Sequence, residues 1–226
     1  MYYSGGYWLI VIVSLVLGMV TQGYINRQYK RWSKVRLSSG ETGADVARRM
    51  LRDEGATQVG VTRVEGHLTD FYDPRDNMLH LSDENLSGGS VASAAVACHE
   101  AGHAVQHARG YVPVKIRTAL VPVVNFTSNV WMLLLMLGMF LGSMGLARLA
   151  VWLFAFSVLF QLVTLPVEFD ASHRAVEYLA NGSGLSPEAE EGARKVLTAA
   201  ALTYVAAALV SVLQLLYYLG LTSDRN

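Results

Sequence analysis

Long uncharged apolar runs alternate with short polar stretches along this chain. The alternation predicts a mainly α-helical membrane protein with about four spanning helices. Tyr7 to Tyr24 carries no charge, and Ser14, Thr21 and Gln22 interrupt its apolar character. Eighteen helical residues rise about 27 Å, enough to cross most of a bilayer core. The charges Arg27, Lys30, Arg31, Lys34 and Arg36 follow this run, and no small-residue cleavage site closes it. Residues 1–26 therefore read as a retained anchor rather than a signal peptide. Leu120 to Gly145 and Leu149 to Leu165, the latter closed by Pro166, give two further membrane helices within 119–166. Residues 167–195 hold a polar helix from Val167 to about Leu179, then a loop after Asn181-Gly182. The last span lies within 196–226, over Val196 to Leu219. Its helix starts at Ser186 as N-cap, with Pro187 in the first turn and Glu188, Glu190 and Glu191 near the positive end of the dipole.

The polar stretch, 27–118, has shorter periods. Thr42 is a candidate N-cap, and Ala44, Ala47, Met50 and Leu51 recur at helical spacing until Gly55. Val59, Val61 and Val64 alternate like a short strand. His67 to Tyr72 and Asn77 to Leu81 flank the turn-rich Asp73-Pro74-Arg75-Asp76, which predicts a β-hairpin. Its second arm, Asn77, Met78, Leu79, His80 and Leu81, is expected to be an edge strand that binds an extended peptide by backbone pairing. Gly88-Gly89-Ser90 then opens an alanine-rich helix, Val91 to about Ala108.

Composition sharpens the class. Hydrophobic residues make up 52% and charged residues 16% of the chain, against about 25% charged in soluble domains. Net charge is +0, so bulk electrostatics gives no reason to expect a nucleic-acid partner. A lone cysteine, Cys98, excludes an internal disulfide and any CxxC metal site; it reads as a small buried residue. With the N-terminus outside, only Arg148 and Arg225 of the 18 Lys and Arg residues fall outside. The positive-inside bias then places 27–118 on the cytoplasmic side.

The alanine-rich helix carries the candidate chemistry, His99-Glu100-x-x-His103. Four helical residues turn about 400°, so both imidazoles leave one face and can bind one zinc ion. Glu100 is placed as the general base. His107 lies about 12 Å along the axis from His99, too far to share that ion. A third ligand is expected just past the third span, Glu168 in preference to Asp170; they sit about 200° apart on a helix and cannot both face the metal. His173 is a candidate to orient a ligand or to donate to an oxyanion.

The stretch His99-Glu100-Ala101-Gly102-His103-Ala104-Val105-Gln106 has Asp73-Pro74-Arg75 and Leu81-Ser82 before it and Leu165-Pro166-Val167-Glu168-Phe169 after it. Together they resemble the bacterial YugP-like neutral zinc metallopeptidases over nearly the whole chain. The resemblance implies a multi-pass inner-membrane zinc metallopeptidase with a zincin-like HExxH helix. It is distantly similar to the HtpX and CAAX-prenyl-protease group, whose third ligand begins an E-[FY]-x-A-D pattern. Glu168 matches that glutamate. Ser172 stands where the pattern has Asp, so the carboxylate that backs the ligands is missing or supplied otherwise. Asn is usual in the YugP-like pattern where this chain has Asp170.

The expected function is zinc metalloendopeptidase activity near the membrane surface: Zn2+ on His99, His103 and Glu168, Glu100 and His173 as catalytic groups, and a protein or peptide substrate, itself membrane-associated. An accessory membrane subunit or a second copy is a further candidate partner. The rival class is a zinc-binding membrane scaffold or chaperone-like protein without proteolysis, against which Glu100 speaks, since a structural site has no use for a base. Intramembrane cleavage of the site-2 type is disfavoured because no span contains an Asp ligand. An ATP-dependent protease is excluded by the missing phosphate-binding loop.

Overall fold

The computed structural model describes residues 3–182 and 185–223. Helix α1 (Tyr3–Trp32) is followed by α2 (Gly43–Asp53), β1 (Gly60–Val64), β2 (Phe71–Asp73), β3 (Met78–Ser82), α3 (Asp83–Leu86) and α4 (Val91–Ala108). Three long helices complete the chain: α5 (Val112–Phe140), α6 (Met144–Gly182) and α7 (Pro187–Ser223). Four helices among the described residues, α1, α5, α6 and α7, are long and apolar enough to cross a membrane.

The chain forms two compact units. The first comprises Met1–Val20, Lys115–Pro166 and Thr203–Asn226. Its described residues are helical except at the α5–α6 turn. Trp131, Phe154 and Tyr218 pack together within it, ring against ring. Large apolar side chains such as Leu15, Met19, Phe126, Met132 and Trp152 point outward, which suits lipid rather than water.

The second unit, Thr21–Val114 and Val167–Leu202, holds the polar stretch. Thr42 caps α2 through a reciprocal capping box with Asp45, which satisfies two otherwise orphan backbone donors. Gly55 leaves the helix at φ +77°, a conformation open to glycine. Trp32, Met50, Leu51, Leu79, Leu81 and Val105 are fully buried around α4, the central element. A polar clamp fixes the start of β2. The Asp70 carboxylate accepts from the Ser82 N–H at 2.7 Å and from Asn85 Nδ2 at 2.8 Å. Tyr29, on α1, donates its hydroxyl to Asn85 Oδ1 at 2.7 Å.

Three expectations need correction. The segment 77–81 is not an edge. The sheet order is β1-β3-β2, with β3 parallel to β1 and antiparallel to β2. Leu79 and Leu81 are in the core, Asn77 sits in the turn at φ +60°, and His80 stacks on Phe71. Parallel pairing joins segments separated by a crossover, so no local turn signals it. Pro166 does not end a helix either. It lies inside α6, which makes the third apolar run and the polar helix after it one element. A spanning helix tolerates the lost hydrogen bond where neighbours satisfy the freed carbonyl. The second run likewise starts earlier than expected, at Val112, and turns between Phe140 and Met144.

Candidate metal centre

Helix α4 is built to be enclosed. Ser90 caps it by accepting the Ser93 N–H, and most of its side chains are small. Small side chains let neighbouring backbones come close. One such approach is at Gly102, where an added Cβ would lie 2.8 Å from the Ala171 carbonyl oxygen and 3.2 Å from its Cα. This contact seats the polar end of α6 against the HExxH face.

His99, His103 and Glu168 then converge, with their ligand atoms all within 4.8 Å of one another. Glu168 Oε2 lies 3.3 Å from His99 Nε2 and 3.5 Å from His103 Nε2. Two atoms each bound at about 2.0–2.1 Å to one tetrahedral zinc are about 3.3–3.4 Å apart. Both separations from Glu168 to the histidines are thus close to the spacing that zinc requires. Two imidazoles and a carboxylate are also a donor set typical of catalytic zinc, with a fourth position left over.

Glu100 is buried beside this group. Its Oε2 accepts the backbone N–H of Tyr72 at 3.1 Å, so the outer side of β2 holds the carboxylate in place. Burial pushes the Glu100 carboxyl up, against the pull of the His99 and His103 imidazoles. A carboxylate raised in this way is a better proton acceptor than an exposed one.

The other candidates lie elsewhere. His173 is not brought to the group: its side chain is 76% exposed and faces Glu177. The neighbouring Ser172 stands at the ligands instead, its hydroxyl 3.2 Å from His99 Nδ1. Asp170 turns away from the ligand atoms toward Gln106 and Arg174. His107 is exposed near Tyr72, and Cys98 is fully buried. Ser172 and Gln106 are the site residues that sequence reasoning passed over. Spacing held a signal for both: Ser172 is four residues after Glu168 and Gln106 three after His103, so each shares a face with a ligand.

Residues 7–223 match the family described as "Putative neutral zinc metallopeptidase". The chain belongs to this family. It is 46% identical over 209 residues to the "Putative membrane protease YugP" of Bacillus subtilis (strain 168), covering 92% of this chain and 93% of that protein. No solved structure matches the chain. The family is a zinc one, and His99, His103 and Glu168 form a group able to hold the metal.

Proposed function

We propose that this membrane zinc metallopeptidase is an endopeptidase that hydrolyses protein or peptide substrates at the cytoplasmic face of a bacterial inner membrane. The observation that carries the reading is Glu100: a buried carboxylate, held by a backbone N–H, beside three converging metal donors. A structural metal site has no need of it.

His99, His103 and Glu168 would hold the metal. Zinc bound there supplies a Lewis acid for the scissile carbonyl and acidifies water at the same centre. Glu100 accepts the proton of the attacking water and passes it to the leaving amine nitrogen. The Tyr72 N–H uses one of the carboxylate's lone pairs and leaves the others to take that proton.

The substrate backbone docks along the outer side of β2. Only β3 pairs with β2 among the described strands, and the open side is the one from which Tyr72 points its N–H to Glu100. An extended peptide added there lies next to the base. The cytoplasmic placement rests on the distribution of Lys and Arg. The test is Glu100→Gln in the full-length protein. Cleavage of a model peptide should fall by about 100- to 10,000-fold with zinc content unchanged. Full activity in that variant would refute the reading.

A further inference from the structure

Both histidines present Nε2 to the metal group, so each Nδ1 must carry its hydrogen and needs an acceptor. The two acceptors differ. His99 Nδ1 faces the Ser172 hydroxyl at 3.2 Å. His103 Nδ1 faces Gln106 Oε1 at 3.1 Å.

Gln106 is fully buried, and its amide orientation is over-determined. Nε2 donates to the Val167 carbonyl at 2.7 Å and to Asp170 Oδ2 at 2.8 Å. A carbonyl and a carboxylate only accept, so the amide cannot turn over without facing acceptor to acceptor. Its oxygen is thereby aimed at His103. Asp170 is itself pinned from one turn further along α6, where Arg174 Nε donates to Oδ2 at 2.7 Å. The chain of contacts runs Arg174, Asp170, Gln106, His103.

We propose that Asp170 and Gln106 are positioning residues for the metal site. The Arg174-paired carboxylate fixes the Gln106 amide, and the amide fixes His103 as the tautomer that offers Nε2. Ser172 gives His99 a hydroxyl, which can donate as well as accept and so leaves its tautomer less firmly fixed. The Asp that is absent at 172 is thus replaced by a carboxylate acting on the other imidazole, at one remove. Both direct acceptors are neutral, but only the Gln106 amide is locked by a carboxylate, so His99 is the less firmly oriented ligand. This inference rests on the assignment of His99, His103 and Glu168 as the ligands.

The test uses the full-length protein in lipid nanodiscs, stripped of metal and titrated with zinc against a chromophoric chelator. Nitrogen-15 histidine spectra of the metal-free protein report the tautomers. Asp170→Asn should weaken zinc binding by about 10- to 100-fold and move His103 from one Nδ1–H tautomer to a mixture. A general loosening of α6 would not shift one ring selectively. Ser172→Asp should tighten zinc by a similar factor and recover much of the loss in the Asp170→Asn background, a gain that no misfolded variant can produce. Asp170→Asn with wild-type zinc affinity and an unchanged His103 tautomer overturns the relay. Ser172→Asp without any gain overturns the assignment for His99. Wild-type protein that binds no zinc overturns the ligand set itself, whatever the variants do. Because no step measures peptide cleavage, failure here is separate from failure of the peptidase reading.

Discussion

Gly102→Ala is the sharpest single test of how the site is assembled. The added Cβ would sit 2.8 Å from the Ala171 carbonyl oxygen, 3.2 Å from Ala171 Cα and 3.4 Å from its carbonyl carbon. All three are backbone atoms, so no side chain can swing away. Ordinary contact begins near 3.4 Å, and α4 and α6 must therefore part by about 0.6 Å at this point. Overpacking of this kind costs about 1–3 kcal/mol. The consequence for the metal is larger than for the fold. Glu168 is three residues before Ala171, on the face that meets α4, and moves with it. Metal–ligand distances hold within about 0.2 Å, so a shift of about 0.6 Å takes the carboxylate out of range. The variant should fold with reduced stability and lose tight zinc binding. Denaturant unfolding monitored by tryptophan fluorescence reads the first effect, and chelator competition reads the second. Wild-type zinc affinity in a folded Gly102→Ala protein would show that the two helices are not held at this spacing.

Glu168→Ala should remove zinc from a protein that keeps its helical content, measured by metal analysis and circular dichroism, because it deletes one of three ligands. Thr42→Ala removes the capping box of α2 and should destabilise the second unit by about 1 kcal/mol, with zinc affinity unchanged. Cys98 is fully buried and its thiol is pushed up to about 12 by burial. Folded protein should resist maleimide labelling at neutral pH, and labelling should appear on denaturation; rapid labelling of native protein would contradict the packing of α4. Tyr72→Pro deletes the N–H that holds Glu100 on a strand edge where proline is tolerated. It should lower the cleavage rate with zinc content maintained.

Much of the candidate site was legible in the sequence. His99 and His103 recur at the helix period, which by itself puts both on one face. The N-cap at Thr42, the helix start at Ser186-Pro187 and the four apolar runs are equally local signals, and all four helices are present. The resemblance carried by HEAGH and by the residues around Glu168 pointed to the family to which the chain belongs. The hairpin was legible from its turn, but the identity of its open edge was not. That depended on β1, which pairs in parallel with β3 from 18 positions upstream, Gly60 opposite Met78.

The sequence by itself determined periods and ends: where helices begin, which residues share a face, and which runs are apolar enough for a membrane. Those properties depend on neighbours within a turn or two, and the backbone geometry that links them is fixed. Only the tertiary structure decided which face of α6 meets α4. One residue on a helix is about 100° of rotation, so Ser172 reaches His99 while His173 points outward. The rotation is set by the contact of Gly102 with Ala171, which brings together residues far apart in the chain. That contact also places Gln106 between His103 and Asp170. No local pattern encodes such an approach, because its cause is the shape of two packed surfaces.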